Sequence, residues 1–225
     1  KKTAYEVLFG GWSSVLCSSD RKFVRLNPVK SGSIITAGAF SFEFIHVNHS
    51  IADDNAGVIR TPAGTIYHSG DFKIDYTPIN GGPMDLARIA AIGSEGVLAM
   101  VCESTNVERA GHSTSERKVG ESFAELFSKA TGRIMVATFS SNVFRMQQIF
   151  TAAERYDRKV ALIGRSMLNV FNAANSLGYL TMRPDTLIDI RQIDRYEPNQ
   201  LVIITTGSQG EPMSALTRMA FSEHK

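Results

Sequence analysis

The sequence predicts an α/β protein in which a mainly β first part gives way to a mostly parallel, helix-covered sheet. Two observations carry this. Between Phe40 and Val47, aromatic residues and His46 alternate with Ser41, Glu43, Ile45 and Val47, the period-2 signature of a strand. Beyond about residue 103, short apolar runs alternate with amphipathic stretches, as in a parallel sheet with helices on both faces.

The strand from Phe40 runs toward Asn48-His49-Ser50. Gly57-Val58-Ile59-Arg60 and Thr65-Ile66-Tyr67-His68 are β-prone runs joined by Thr61-Pro62-Ala63-Gly64, whose Pro and Gly suit a hairpin turn. Asp85 to Ile92 reads as a helix stopped by Gly93, and Val97 to Cys102 as a buried strand delivering Glu103. Ser113-Thr114-Ser115-Glu116 has capping-box spacing, and Val119, Phe123, Leu126 and Phe127 follow at helical intervals up to Gly132. Arg133 to Phe139 is the next strand; Ser140-Ser141-Asn142 can cap a helix with Val143, Met146, Ile149, Phe150 and Ala153 on one face. Val160 to Gly164 is a strand and 166–177 a helix stopped by Gly178. Leu201 to Thr206 is a strand leading through Gly207-Ser208-Gln209-Gly210 into a helix with Pro212 early in it. Residues 1 to about 30 show no sustained period, have no assigned role, and are expected to be poorly ordered.

A chain of 225 residues, 43% hydrophobic, can bury a substantial core. A formal charge of +2 requires any nucleic-acid contact to come from a local patch. Cys17 and Cys102 are too few and too far apart for a disulfide framework or a Cys-based zinc motif, which fits a reducing, cytoplasmic setting. No apolar run is long enough to span a membrane, and no signal-peptide apolar region follows Lys1-Lys2-Thr3.

The carboxyl ends of parallel strands share one edge, and ligands bind in the crevice beyond it. Here that edge is rich in hydroxyls and amides: Ser140, Ser141, Asn142, Ser166, Ser208 and Gln209 stand where strands hand over to helices, whose amino ends favour phosphate. Each taken singly is equally a helix cap; the phosphate reading rests on their convergence. Arg145, Arg165, Arg183, Arg191 and Arg195 are candidates for phosphate contact, and Arg165 is the one selected. In the β-rich part, His49 and Asp71 each end a strand and carry ordinary zinc-ligand atoms, although spacing alone does not separate a metal pair from a structural one. His46 and His68 lie three residues from His49 and Asp71, so extended strands turn them to the opposite side, and His112 reads as a surface residue.

Val47-Asn48-His49-Ser50, Gly70-Asp71-Phe72-Lys73, Glu103-Ser104-Thr105-Asn106, Gly164-Arg165-Ser166-Met167 and Thr206-Gly207-Ser208-Gln209-Gly210-Glu211-Pro212 resemble successive blocks of the bacterial ribonuclease J family. The resemblance runs from about residue 30 to the end and implies part of a metallo-β-lactamase αββα fold (1–102) followed by part of a β-CASP domain (103–225). It implies that His49 and Asp71 are metal ligands, Asp71 bridging two zinc ions, with manganese the alternative, and acting catalytically. Glu103 is implied to be the second catalytic residue, an acidic group that positions or polarises a partner His rather than binding metal. Ser104 and Asn106 are implied to lie at a pocket for the 5′-monophosphate of RNA, with Ser141, Arg165, Ser208 and Gln209 as further RNA contacts. The implied chemistry is metal-assisted hydrolysis of RNA phosphodiesters, 5′-to-3′ exonucleolytic with endonucleolytic cleavage as an addition, in RNA processing and decay. The implied assembly is a homodimer or larger homo-oligomer.

The family's His-x-His-x-Asp-His cluster is not present in this sequence, and His224 does not match the family's later His motifs. Two ligands do not close two zinc shells, so the chain is expected to be an internal fragment that does not hydrolyse RNA alone. The competing classes are a non-catalytic RNA-binding or scaffolding relative and a small-molecule metallo-hydrolase. The latter is disfavoured because the alternating half after Glu103 has no place in those shorter enzymes.

Overall fold

The computed structural model describes residues 28–221. The expectations for residues 1–27, for Cys17 and for His224 lie outside the described residues. The chain forms two compact units that part between Arg117 and Lys118, later than the boundary expected near 103. Residues 103–117 stay with the first unit through specific bonds: Glu103 N–H donates to Ser69 Oγ at 3.0 Å and Ser115 Oγ donates to Thr77 O at 3.0 Å.

The first unit is built on a five-stranded sheet in sequence order: β1 Ile34–Ala37, β2 Phe40–His46, β3 Asn55–Thr61, β4 Gly64–His68 and β5 Ala99–Val101. The pairs β1 to β4 are antiparallel, and β5 joins β4 in parallel. The alternation in β2 is as read, yet its buried side is the Glu43/Ile45 side, while the Phe40 side is the more open one. Helix α1, Leu86–Glu95, lays Ile92 and Ile89 on a small core of Ile45, Val47, Ala56, Val58, Tyr67 and Met84.

Three local expectations change here. Gly93 lies inside α1, which continues to Glu95 because that residue's carboxylate pairs with Arg88 and Arg60; Gly96 caps it. Strand β1, a β-branched run not singled out in the sequence, forms by pairing with β2. Strand β5 is exposed rather than buried, with Met100 63% accessible, because it stands at the edge of the sheet.

The second unit is a four-stranded parallel sheet: β6 Ile134–Ala137, β7 Lys159–Ile163, β8 Leu187–Ile188 and β9 Leu201–Thr205, in the order β6-β9-β7-β8. Helices α2 Glu116–Lys129, α3 Val143–Arg155 and α4 Arg165–Leu177 close over one face, burying Phe127, Met146, Ile149, Phe150, Met167 and Phe171 against Val160, Leu162, Val202 and Ile204. Each such side chain contributes roughly 1.5–3 kcal/mol of burial. Among the described residues the other face carries short α5, Ala215–Ala220, and a 3-10 turn at Ile190–Arg195, which meet Ile163 and Ile203. The α/β class read from the sequence holds, with helices flanking a parallel sheet.

The capping box at Ser113 does not form: Glu116 N–H donates instead to the buried carboxylate of Asp75 at 3.1 Å, a cap supplied from a distant loop. Pro212 lies in the turn before α5, whose cap is Ser214 Oγ accepting from Thr217 N–H at 3.2 Å. No helix among the described residues is long and apolar enough to cross a membrane.

Candidate functional site

In the first sheet β2, β4 and β5 run in the same direction, since β2 and β4 are each antiparallel to β3 and β5 is parallel to β4. Their carboxyl ends therefore share one edge, and His49, Asp71 and Glu103 are the polar residues that follow those three ends.

Two side chains lock the edge together. Asn48 accepts from Met84 N–H at 2.8 Å through its side-chain oxygen and donates to Gly82 O at 2.9 Å; its backbone carbonyl accepts from Lys73 N–H at 2.6 Å. This ties the His49 loop both to the segment after Asp71 and to the loop before α1. Ser69 is 1% accessible; its hydroxyl accepts from Glu103 N–H at 3.0 Å and donates to Gly70 O at 2.6 Å, while its own N–H donates to Val101 O. Gly70, at φ +60, turns the chain where an added Cβ would stand 2.9 Å from Asn55 O, so only glycine fits beside Asp71.

His49 Nδ1 lies 3.4 Å from Asp54 Oδ2. Asp54 raises the His49 pKa above its ordinary value, burial opposes this, and the charges of Asp71 and Glu103 add to it. Asp71 is exposed. Glu103 is half-buried and accepts from Thr105 N–H at 2.7 Å, opening a turn in which Val107 N–H donates to Ser104 O and Arg109 N–H to Asn106 O. Asn106 takes a left-handed φ of +61, and both Ser104 and Asn106 face solvent. Among the described residues no three His, Cys, Asp or Glu side chains converge as a metal-holding set. His49 and Asp71 supply donors of the right chemistry, but a zinc site takes three or four protein ligands, so the described residues do not fit the ion by themselves.

The second candidate region is the carboxyl edge of the β6-β9-β7-β8 sheet. Asn142, not Ser141, caps α3, its side-chain oxygen accepting from Arg145 N–H at 3.0 Å. Arg165 opens α4 directly after Gly164, which offers no side-chain cap, and its side chain is exposed. Ser208 and Gln209 sit in an exposed turn after β9, where Gln209 N–H donates to Glu211 Oε2 at 3.2 Å; an anion would have to displace that carboxylate. Gly207, at φ +114, is buried, and a Cβ there would stand 2.5 Å from Ser214 Oγ. Arg191 is paired with Asp189 at 2.7 Å and Arg183 donates to Glu154 O at 3.0 Å.

His46 and His68 are engaged by backbone, the first through Nε2 to Gly82 O and the second by accepting Gly70 N–H at Nδ1. His112 is exposed. Sequence reasoning did not single out Asn48, Ser69, Asp54 or Asp75. Asp75-Tyr76-Thr77 has the spacing of an Asx turn, and Thr77 N–H does donate to Asp75 Oδ1 at 3.0 Å, so that half was legible.

Residues 131–225 match the family described as ribonuclease J, β-CASP domain. The ribonuclease J of Helicobacter pylori is 45% identical over 191 residues, 85% of this chain and 28% of the relative's length. That of Thermus thermophilus is 44% identical over 185 residues, 82% and 32% of the two chains, and that of Mycobacterium tuberculosis 45% over 205 residues, 89% and 37%. The chain thus spans about a third of the length of these relatives. A crystal structure of a protein of unknown function from Enterococcus faecalis shares the fold, with a TM-score of 0.57 and 16% identity over 82% of this chain and 46% of that one. Residues 131–225 thus match the β-CASP domain of ribonuclease J, and the chain is similar over most of its length to a part of the ribonuclease J of these bacteria.

Proposed function

We propose that this chain forms part of a metal-dependent ribonuclease that hydrolyses RNA phosphodiesters in RNA processing and decay in the cytoplasm. The observation that carries the reading is the gathering of His49, Asp71 and Glu103 at one sheet edge, held by Asn48 and Ser69. In this reading residues 1–102 are metallo-β-lactamase in type and 103–225 β-CASP. His49 and Asp71 are two ligands of a two-zinc or two-manganese site completed by ligands that this chain does not carry. Asp71 is the catalytic carboxylate, and Glu103 holds a partner His in place. Ser104 and Asn106 receive the 5′-monophosphate, consistent with 5′-to-3′ attack as well as endonucleolytic cleavage. Ser141, Arg165, Ser208 and Gln209 contact the RNA backbone, where exposed amino ends of helices favour phosphate. The assembled protein is a homodimer or larger homo-oligomer.

The test is fluorescence anisotropy of the chain with one RNA carrying either a 5′-monophosphate or a 5′-hydroxyl. The phosphorylated RNA is expected to bind several-fold tighter, and Ser104→Ala or Asn106→Gly to erase the preference; glycine keeps the left-handed turn while removing the amide. Equal binding of the two RNAs would remove the phosphate pocket from the account. Tight binding of both with no end preference would favour a non-catalytic RNA-binding relative.

A further inference from the structure

We propose that Asp54 is the positioning residue of the candidate site: it holds the His49 ring by Nδ1 and fixes the tautomer that leaves Nε2 as the basic nitrogen. This rests on the reading that His49 belongs to the functional site, and it concerns only this chain's own residues.

Three observations support it. The carboxylate is prepositioned by backbone: Asp54 Oδ1 accepts from Asn55 N–H at 2.9 Å and Asp54 O accepts from Val47 N–H at 3.3 Å, which leaves Oδ2 to face the ring. His49 Nδ1 is buried and has no hydrogen-bond partner among the described residues, and the carboxylate that faces it is Asp54 Oδ2 at 3.4 Å. That distance is longer than a good hydrogen bond, and Nδ1 makes no hydrogen bond in this arrangement, so the approach is an electrostatic one. Glu103, the other carboxylate assigned to positioning a His, spends one oxygen on Thr105 N–H.

The chemistry follows from the ring. A neutral imidazole carries one proton, and whichever nitrogen donates leaves the other as acceptor. An acceptor carboxylate at Nδ1 places the proton there and leaves the Nε2 lone pair for whatever the site engages. A surface His–Asp pair without function would also show proximity; here Nδ1 is buried and the facing residue is fixed by two backbone bonds.

The experiment reads the ring directly. Long-range 1H–15N spectra of the 15N-labelled full chain, at a pH where His49 is neutral, report which nitrogen is protonated. The expected result is protonation at Nδ1, a switch to Nε2 in Asp54→Ala, and restoration of the Nδ1 form in Asp54→Asn, which keeps an acceptor oxygen. A wild-type ring protonated at Nε2, or an Asp54→Ala ring unchanged from wild type, overturns the proposal. Should Asp54→Ala disturb the sheet, seen as displaced amides of β2 and β3, the wild-type tautomer and Asp54→Asn decide it. The measurement uses neither RNA nor metal, so its failure is distinct from failure of the RNA-binding test.

Discussion

Single residues at this edge are set by backbone geometry as much as by chemistry. Gly70 adopts φ +60 with Asn55 O where its Cβ would be, so the turn that presents Asp71 depends on the absence of a side chain. Gly70→Ala is expected to lower unfolding stability by about 1–2 kcal/mol for the left-handed backbone, plus the cost of moving β3 aside. Urea denaturation checks it, and an unchanged midpoint would show that the turn is not fixed as described. The sequence marked His49, Asp71 and Glu103 because each follows an apolar run. It did not mark Asn48, Ser69 or Asp54, whose roles are contacts to residues far along the chain: Asn48 to Met84, Ser69 to Glu103. Short-range patterning contains no record of such partners, which is why the residues that hold the site were less legible than the residues that form it.

At the scale of elements, helix periodicity was the most reliable signal. The face of α3 buries the side chains that its spacing selects, while α2 buries Phe123 and Phe127 and leaves Leu126 62% accessible. Ends were less legible, because capping can come from elsewhere. Asp75 caps α2 at its start, and Arg158, 5% accessible, closes its far end by donating to the carbonyls of Ala130 and Gly132. In the first sheet the buried side of β2 includes Glu43, which polarity alone would have turned to solvent. The sheet accommodates it because Arg88 donates to Oε1 at 2.6 Å and Arg60 to Oε2 at 2.8 Å. Chiefly the Arg88 hydrogen bond, with Arg60 helping and burial opposing, holds the Glu43 pKa at about 2, below its ordinary 4.5. A carboxylate with a depressed folded-state pKa stabilises the fold fully above its unfolded value, and that contribution is lost as pH falls through the folded one. The pair β2–β3 is therefore expected to lose stability between about pH 4.5 and 2. Glu43→Gln should remove about 2 kcal/mol at neutral pH and flatten the acid dependence in that window. Acid-dependent urea unfolding of the two proteins measures this; parallel curves would mean that the Arg pair contributes nothing.

Across the whole molecule, the two compact units differ in how completely they cover their sheets. The second has the larger buried core, with Phe150, Met146 and Ile149 fully enclosed. The first leaves both edge strands open, Ile34 59% and Met100 63% accessible. Those apolar edges agree with a chain that spans about a third of its relatives' length. The α/β class and the family likeness were legible because they rest on periodicity and on blocks of consecutive residues. The exposure of β5 was not, since an apolar run reads the same whether or not a neighbour covers it. The proposed function divides in the same way: Ser104, Asn106 and Arg165 stand on the surface, while among the described residues no three His, Cys, Asp or Glu side chains form a metal-holding set. The most direct test is incubation of the purified chain with Zn2+ or Mn2+ and 5′-monophosphorylated RNA, followed by gel analysis of the products. The account predicts intact RNA at every metal concentration; metal-dependent turnover that Asp71→Ala abolishes would contradict it.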